Sequence, residues 1–241
     1  MHVPGDPLTL VNIWDAGSAK AVAAAGATAL ATGSYPMADM FGVDDGENMP
    51  MPEMLYFLAQ IVGATDLPVS HDVERGYGAM PGNVECTCNA VVAAGAIGVN
   101  MEDSLPDGSL RDLDGQSARY AAARSGMDTA CTGTWLNART DIFAAMGAAE
   151  VEAKIEAVAQ RSEAYKDAGA DSLFVPFLRD LEIIEKVCAS SVLPVNIMRI
   201  VGGPSIADYA AKGVARISHG PTPRKALMDA LKTLAKSLYG G

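Results

Sequence analysis

The amino-acid sequence predicts a closed (β/α)8 barrel, in which eight parallel strands are each followed by a helix. The chain has 241 residues, close to the ~250 that one such barrel needs. Eight short apolar segments alternate with longer segments of helical periodicity. The apolar segments are nearly continuous, as in parallel strands covered on both faces. Eight units favour a closed barrel over an open doubly wound sheet, and we expect residues 1–241 to form a single catalytic domain.

The strand and helix segments follow one another in order along the whole chain. The predicted strands are 8–15, 27–34, 67–74, 96–103, 134–141, 171–177, 193–199 and 214–220. The predicted helices are Ser18–Ala25, Pro52–Ala64, Asn83–Ala94, Gly115–Met127, Ala148–Ala168, Leu181–Ala189, Ser205–Ala211 and Pro223–Leu238. Gly26, Gly95, Gly169 and Gly213 each follow a helix and precede a strand. Glycine is the usual left-handed residue that ends a helix, so these positions support the alternation.

Composition excludes several classes of partner. The formal net charge of −11 disfavours nucleic acids and anionic membranes, because both bind basic surfaces. The four cysteines include no CxxC pair, so neither a zinc site nor a disulfide framework is expected. The chain begins without a signal-peptide pattern, and no apolar run reaches the ~18 residues of a membrane span. We therefore expect a cytoplasmic protein that binds a small-molecule substrate.

Two connections are longer than a barrel requires. They are Tyr35–Met51 after the second strand and Ser104–Asp114 after the fourth. Both leave the carboxyl ends of strands, the face on which barrel enzymes build their active sites. Long loops rich in Gly and Asp at this face are candidate lids.

Acidic residues gather at the same predicted strand ends. Asp72 and Glu74 are two residues apart, so strand alternation predicts that they point to the same side. Glu102 comes from the neighbouring strand. Three carboxylates at one barrel mouth would repel one another unless a cation lay among them. Their oxygen ligands suit Mg²⁺, with Mn²⁺ as a second candidate, and do not suit zinc.

A simpler interpretation is that these acids cap the helices that follow them, because Asp and Glu are favoured at helix N-termini. We expect this role for Asp15 and Asp141. For Asp72 and Glu74 a ligand role is favoured. Gly76 and Gly78 follow the pair, and glycines allow the backbone to approach a ligand closely.

Three further polar residues have both structural and functional interpretations. Arg139 lies in an apolar strand segment, and a buried arginine must be paired. It can pair with Asp141, clamp a substrate carboxylate in bidentate fashion, or do both. His71 alternates to the opposite strand face from Asp72, so we expect it to pack. His219 ends the eighth strand and is a candidate substrate contact at the mouth.

Two glycine- and proline-containing segments follow the last two strands, GGPS (202–205) and SHGP (218–221). Many barrels bind phosphate at these positions. Such segments also form ordinary tight loops, so the phosphate hypothesis and the structural one carry equal weight.

Several longer segments together resemble a known family. These segments are DAGSA (15–19), GVDDGE (42–47), HDVERGYG (71–78), GVNMED (98–103), NARTD (137–141) and YKDAGAD (165–171). In this order they resemble the signature of the isocitrate lyase / phosphoenolpyruvate mutase superfamily, and the resemblance covers nearly the whole chain. It implies an α/β barrel, Mg²⁺ dependence and a homotetramer that exchanges C-terminal helices. It also implies that a C–C or C–P bond of a small 2-oxo or 2-hydroxy acid is made or broken through a pyruvate enolate.

The resemblance also implies roles for individual residues. Asp72 would bind the metal directly, while Glu74 and Glu102 would hold metal-bound waters. Asp45 would lie close to the metal and substrate. Arg139 would bind the substrate carboxylate, whose oxygens would also contact the backbone of Ser34 and Tyr35.

The sequence departs from the specialised members of this family. The lyases carry a Lys-Cys-Gly-His segment after strand four, whereas this chain has SLPDGSLRDLD (104–114) without Cys or His. They also have Glu where this chain has Pro176. Members acting on C–P bonds carry Lys and Asn or Thr in a Pro-Lys-x-Asn-Ser stretch, which here reads Pro106-Asp107-Gly108-Ser109. Neither set of loop residues is present.

A C–C lyase or decarboxylase is therefore the leading hypothesis, because carbon dioxide can leave without a base. A retro-aldol lyase with Asp107, Tyr35 or His219 as its base is also open. The other candidates are phosphonopyruvate mutase or hydrolase chemistry, a phosphate-binding aldolase-type barrel, and a carboxylate-binding protein without catalysis.

Overall fold

Parallel strands form the centre of the structure, a computed structural model that describes residues 1–240. The strands are β1 (Leu8–Leu10), β2 (Asn12–Ile13), β3 (Leu30–Thr32), β4 (Val69–Asp72), β5 (Gly98–Glu102), β6 (Trp135–Arg139), β7 (Ser172–Val175), β8 (Val195–Met198) and β9 (Arg216–Ser218). From β2 to β9 each strand pairs in parallel with the next, and β9 pairs with β1. Only Val11 separates β1 from β2, so these two occupy one strand position. The sheet thus closes through eight positions and confirms the predicted (β/α)8 barrel.

Helices follow every strand position. They are α1 (Ala16–Ala24), α2 (Ser34–Phe41), α3 (Met51–Val62), α4 (Pro81–Ala93), α5 (Leu113–Ala130), α6 (Ile142–Ala145), α7 (Val151–Asp167), α8 (Leu181–Ser190), α9 (Ile206–Ala211) and α10 (Thr222–Leu238). Eight of them match the predicted helices with shifted ends, and α2 and α6 are additional.

Helix α2 corrects the prediction that Tyr35–Met51 is one long loop. Its Pro36 lies in the first turn, where a missing N–H costs no hydrogen bond. Met37 and Ala38 are 3% exposed, so packing stabilises a helix too short to show a periodic pattern. Gly42, with φ of 84°, ends it in the left-handed conformation. The remaining loop spans 42–50.

Strand alternation divides polar from apolar side chains. On β5 to β9 one set of alternate residues is apolar and fully buried, including Val99, Leu136 and Ile197. The other set lines a central cavity and is largely polar, including Asn100 and Arg216. The apolar side chains pack in the main hydrophobic core, so the barrel interior is left to polar groups.

The N-terminal segment contacts the amino ends of the strands. The ring of His2 stacks on that of Trp135, the first residue of β6, with centroids 4.1 Å apart. The N–H of Gly5 donates to the carbonyl of Val214 at 3.2 Å. Burial, together with the nearby charge of Arg216, lowers the pKa of His2 to about 3. The N-terminal segment thus covers part of this end of the barrel.

Helix α10 has no buried residue. Its apolar side chains are open to solvent, with Leu227 51%, Leu231 53% and Leu234 54% exposed. Its first turn is held by Arg224, whose Nε donates to Asp39 Oδ2 at 2.7 Å. The helix therefore presents an uncovered apolar stripe.

Among residues 1–240, no helix combines the length and the apolar character that crossing a membrane would require.

Close packing of α4 against α5 yields a test of the fold. A Cβ added at Gly126 would lie 2.1 Å from the carbonyl oxygen of Glu85, whereas one added at Gly82 meets nothing within 4 Å. We expect Gly126→Ala to destabilise the protein by about 1–3 kcal/mol through overpacking. Gly82→Ala, the control in α4, should change stability little or raise it by up to ~1 kcal/mol. Urea unfolding measures both, and equal effects would contradict the close contact of α4 with α5.

Candidate active site

A cavity of about 230 Å³ opens among the carboxyl ends of the strands. Its wall comes from β2 to β9, the start of α2, Asp45 and the segment after β7. The cavity is smaller than the ~300–1,000 Å³ typical of pockets for drug-sized ligands. It therefore suits a small molecule.

Three acidic residues lie close together at the carboxyl ends of β4 and β5, and of these Asp72 lines the cavity. Asp72 ends β4, Glu102 ends β5, and Glu74 is 6% exposed. Burial raises the pKa of all three, and for Glu74, where the charges of Asp45 and Asp72 add to the effect, to about 8. The positive charge of Arg139 acts in the opposite direction on Asp72 and Glu102. These carboxylates favour a bound cation, because positive charge relieves both burial and repulsion.

A turn brings Asp72 and Glu74 together, rather than the strand alternation that was predicted. Strand β4 ends at Asp72, and Glu74 has a left-handed φ of 52°. The N–H of Glu74 donates to Asp72 Oδ1 at 3.0 Å. A turn that folds back on the strand end therefore brings these residues together.

The same turn is tied to the 42–50 loop. The N–H of Glu47 donates to Glu74 Oε2, and the N–H of Tyr77 donates to Glu47 Oε1, both at 2.6 Å. Glu47 and Tyr77 are also left-handed, with φ of 66° and 55°. Backbone strain of this kind persists only where surrounding contacts enforce it, and it concentrates at functional sites. The two loops thus act as one unit at the acidic edge.

Gly76 and Gly78 do not line the cavity, and close packing explains why both are glycine. A Cβ at Gly76 would lie 2.9 Å from Val84, and one at Gly78 would lie 2.5 Å from Asn83. Their φ angles are +99° and +150°. The glycines are needed for close contact with the start of α4.

Arg139 ends β6 beside the acids and lines the cavity. Its Nε and Nη2 donate to the two carboxylate oxygens of Asp141, both at 2.8 Å. Its Nη1 lies 2.7 Å from Glu102 Oε2. The two hydrogen bonds to Asp141 use two of the five N–H groups that a guanidinium carries, and the Nη1 contact with Glu102 engages a third. Arg139 is thus paired as predicted, and N–H groups of Nη1 and Nη2 remain for a ligand.

The predicted helix caps have opposite outcomes. Asp15 caps α1, because its Oδ1 accepts the N–H of Ser18 at 2.6 Å. Asp141 precedes α6 but its side chain makes no capping hydrogen bond. The stronger pairing with the Arg139 guanidinium takes both of its oxygens.

Ser34 and Tyr35 are the first two residues of α2 and line the cavity. Backbone N–H groups in the first turn have no acceptor within the helix, and Pro36 has no N–H. Gly33 at the cap position supplies no side-chain acceptor. The N–H groups of Ser34 and Tyr35 are thus available to an anion, and their contact with a substrate carboxylate stays a prediction. Asp45 lies at the cavity wall but is exposed.

The two histidines considered for the site, His71 and His219, have different surroundings. His71 is 0% exposed, with Nδ1 2.9 Å from Thr32 Oγ1 and Nε2 2.9 Å from Met54 Sδ, so it packs as predicted. Burial lowers the pKa of His71 to about 3. His219 does not line the cavity, and its Nδ1 lies 3.0 Å from the carbonyl oxygen of Leu10. The structure does not bring His219 to the other predicted site residues.

The two candidate phosphate-binding segments also differ in whether they line the cavity. Ser218, Gly220 and Pro221 of the SHGP segment line the cavity. The GGPS segment does not, and its Ser205 caps α9 by accepting the N–H of Asp208 at 3.1 Å. The SHGP segment therefore remains a candidate ligand contact, while Ser205 of GGPS has a structural role.

A row of buried amides and hydroxyls was not predicted from the sequence. Trp135 Nε1 donates to Ser172 Oγ at 2.8 Å, and Ser172 Oγ donates to Asn137 Oδ1 at 2.6 Å. Asn137 Nδ2 donates to Asn100 Oδ1 at 2.8 Å, and the side chain of Asn100 hydrogen-bonds to Asp72. This chain crosses the barrel interior and ends beside the Asp72 carboxylate, whose pKa Asn100 lowers. The alternation of polar residues within the apolar segments was the available signal.

No group of three or more His, Cys, Asp or Glu side chains within residues 1–240 is arranged to hold a metal ion by itself. Mg²⁺ in proteins is commonly bound by one or two carboxylates, and water and substrate supply its other ligands. The acidic edge fits that arrangement, with Asp72 fixed from both sides and neighbouring carboxylates to accept hydrogen bonds from water.

Comparison with known proteins agrees with this geometry. The family model described as phosphoenolpyruvate phosphomutase matches residues 1–239. The chain is 29% identical over 200 residues to an oxaloacetate decarboxylase of Rhodopseudomonas palustris (strain BisA53), covering 78% of this chain and 65% of that protein.

Solved structures share the fold over nearly the whole chain. A protein of Burkholderia cenocepacia J2315, provisionally named a phosphonomutase, is 49% identical with a TM-score of 0.94, covering 100% of this chain and 95% of that one. A phosphonopyruvate hydrolase complex with oxalate and Mg²⁺ is 21% identical with a TM-score of 0.83, covering 98% and 84%. The second similarity concerns the fold.

Proposed function

Because this chain belongs to the phosphoenolpyruvate phosphomutase family, we propose that it is a Mg²⁺-dependent C–C lyase or decarboxylase. Its substrate in this proposal is a small 2-oxo or 2-hydroxy carboxylic acid that is cleaved to a pyruvate-type enolate. One observation carries the proposal: a single small cavity is lined by the carboxylates of Asp45 and Asp72 on one side and by the Arg139 guanidinium and the first turn of α2 on the other. The first set suits a cation and the second suits a carboxylate.

The residues present fit a divalent metal. Asp72 would hold it directly, while Glu74 and Glu102 would accept hydrogen bonds from its waters. Oxygen donors of this kind suit Mg²⁺ or Mn²⁺. Structures with this fold include one holding Mg²⁺ and oxalate. When bound, the metal supplies electrophilic polarisation of a 2-oxo or 2-hydroxy group.

The substrate carboxylate would bind between Arg139 and the start of α2. The remaining N–H groups of Arg139 and the N–H groups of Ser34 and Tyr35 would donate to its oxygens. Charged hydrogen bonds from a guanidinium are directional, so this contact would fix the orientation of the acid. Asp45, at the same wall, would lie beside the metal and substrate.

The cavity has few side chains that could act as a general base, and this favours decarboxylation. His71 is buried, and its nitrogens are occupied by Thr32 and Met54. The loop 104–114 has no Cys, His or Lys. Loss of carbon dioxide needs no base to remove a proton, so the cavity has what this reaction requires. The relationship to an oxaloacetate decarboxylase supports this choice.

Cleavage or transfer of a C–P bond is the second candidate, favoured by the 49% identity to the protein provisionally named a phosphonomutase. A phosphonate carries more negative charge than a carboxylate. The loop 104–114 offers only Arg111 against Asp107, Asp112 and Asp114. Like charges in a dehydrated site reduce affinity steeply, so this candidate ranks lower.

Asp72→Asn tests the metal site. We expect the variant to keep its fold but to lose Mg²⁺-dependent thermal stabilisation and turnover, because an amide cannot supply the negative charge. In the native protein, Mg²⁺ at 100 times its Kd should add about 2.7 kcal/mol. Asp44→Asn removes an exposed acid outside the cavity and should retain both responses. Turnover by Asp72→Asn equal to that of the native chain would refute the assignment.

A substrate panel tests the reaction. With Mg²⁺, we expect pyruvate-type products from oxaloacetate, methylisocitrate or substituted malates, and turnover of phosphonopyruvate that is slower by orders of magnitude. Asp72→Asn serves as the background, because free Mg²⁺ also promotes loss of carbon dioxide from oxaloacetate. Efficient conversion of phosphonopyruvate with no activity on the carboxylic acids would reverse the ranking.

We also propose that the protein is a homotetramer in which α10 packs on a neighbouring subunit. The exposed leucines of α10 recur at helical spacing and form an apolar stripe of the kind that packs against another surface. No residue of α10 is buried against its own barrel.

Light scattering tests the assembly. We expect the native chain to be a tetramer, or at least a dimer, at micromolar concentration, and Leu231→Glu to dissociate it by placing a charge in the apolar stripe. Lys232→Glu, at an adjacent exposed position, should leave the assembly intact. A monomeric native protein would contradict the proposal.

A further inference from the structure

A buried ion pair lies behind the ends of β5 and β6, and neither of its members lines the cavity. Asp103, which directly follows β5, is 0% exposed. Its Oδ2 accepts hydrogen bonds from two residues of α7, Arg161 Nη1 at 3.1 Å and the hydroxyl of Tyr165 at 2.8 Å. Among residues 1–240, Arg161 is the one cation within 4.0 Å of the Asp103 carboxylate. The pair therefore joins α7 to the carboxyl end of β5.

The other oxygen of this carboxylate contacts the segment that follows Arg139. Strand β6 ends at Arg139, and the N–H of Asp141 donates to Asp103 Oδ1 at 2.9 Å. Beyond the ends of the strands, the Asp103 side chain thus replaces a backbone acceptor. Asp141 in turn holds the Arg139 guanidinium through both of its carboxylate oxygens. Asp103 therefore sets where the partner of Arg139 lies.

Arg161 also holds the end of the loop that follows β5. Its Nη2 donates to the carbonyl oxygen of Arg111 at 2.9 Å. The N–H of Arg111 donates to the carbonyl oxygen of Asp103, also at 2.9 Å. Because a planar guanidinium holds its acceptors at fixed angles, Arg161 places this loop and the Asp103 carboxylate relative to each other.

We propose that Arg161 is a positioning residue for the Arg139 guanidinium. It acts through Asp103 and Asp141, and so orients the group that would bind the substrate carboxylate. This inference rests on the role of Arg139 in the proposed function. It adds that affinity for the acid depends on a helix whose side chains do not line the cavity.

The charge of Arg161 keeps Asp103 in this place. A buried carboxylate that loses its counter-charge is strongly destabilised, because the cost of its burial is no longer offset. Without Arg161 the Asp103 carboxylate would turn toward water and leave the N–H of Asp141. Asp141 would then shift together with the guanidinium that it holds. Charged hydrogen bonds to a carboxylate are directional, so a small displacement of Arg139 weakens them.

The residue that would bind the metal lies outside this network. Asp72 forms its hydrogen bonds with Thr32 and Glu74, through its N–H and its Oδ1 respectively. Within residues 1–240, no hydrogen bond joins Asp72 to Asp103 or Arg161. Loss of Arg161 should therefore affect binding of the acid much more than binding of Mg²⁺.

A matched arginine at the other end of the barrel provides the control. Arg124 on α5 forms an ion pair with Asp171, which precedes β7. It also donates to the carbonyl oxygens of Gly169 and Thr134, at 3.0 Å and 2.8 Å. Arg124 thus joins a helix to strand ends as Arg161 does, but at the amino ends of the strands.

Calorimetric titration with oxalate at one saturating Mg²⁺ concentration tests the inference. Oxalate is a planar acid of about the size of pyruvate, and its binding needs no turnover. We expect Arg161→Met to weaken oxalate binding at least about tenfold, while the Kd for Mg²⁺ alone changes by less than about threefold. Arg161→Lys keeps the charge but has one nitrogen for two acceptors, so its loss of oxalate affinity should be smaller.

The control separates positioning from general support of the fold. Arg124→Met should lower the unfolding temperature, as Arg161→Met does, but should keep oxalate affinity within about twofold because distant sites act independently. Native oxalate affinity in Arg161→Met overturns the inference. Equal losses of oxalate and Mg²⁺ binding, or an equal loss of oxalate affinity in Arg124→Met, also overturn it.

Two further outcomes are also decisive. If Arg161→Met does not fold, a weaker oxalate affinity of Arg161→Lys with Mg²⁺ binding retained supports the inference, and native oxalate affinity overturns it. A native protein that binds no oxalate overturns it too, because no carboxylate site would then exist to be positioned. Oxalate affinity that depends on Arg161 supports the inference even if no acid in the panel is cleaved, a result that would count against the proposed reaction alone.

Discussion

Charges inside a closed barrel must be balanced locally, because the surrounding strands and helices exclude most water. The Arg139 guanidinium provides that balance for the acidic edge of the cavity. It contacts Glu102 and both oxygens of Asp141, and its charge opposes the burial that raises the pKa of Asp72. Without this cation, several buried carboxyl groups would favour their neutral forms. Arg139 at the end of β6 is thus the main counter-charge of Asp72 and Glu102, and Arg75 adds a weaker contact, 3.9 Å from Glu102 Oε1.

This constraint links the fold to the proposed chemistry. Alternation along the strands sends apolar side chains toward the helices and polar ones into the interior. The interior is then stabilised by directed hydrogen bonds, such as those of Asn100 and Asn137, which fix Asp72 before any ligand arrives. A preorganised carboxylate needs little rearrangement when a cation binds, which is the arrangement that metal-assisted catalysis requires.

Hydrogen-bond donors without acceptors in the cavity also indicate what the cavity binds. The free N–H groups of α2 and the Arg216 guanidinium are donors without acceptors in the same small cavity. Stability alone would favour replacing a buried unpaired cation with an apolar side chain. Their presence in one cavity is consistent with selection for binding an anion.

The sequence by itself determined the barrel. The eight strand–helix units follow from local periodicity and from the glycines that end the helices. Both signals depend only on residues that are neighbours in the chain. It also placed Asp72, Glu102 and Arg139 at carboxyl strand ends, since parallel strands must end at one face. Helix α2 was not predicted, because burial of Met37 and Ala38 stabilises it rather than a periodic pattern.

Only the tertiary structure decided which polar side chains meet. Glu74 reaches Asp72 through a left-handed turn, and His219 turns to the carbonyl of Leu10 away from the cavity. Arg216 joined the site because the register across four strands places it in the cavity wall. Such contacts depend on distances between residues far apart in the chain, and a local pattern holds no information on those distances.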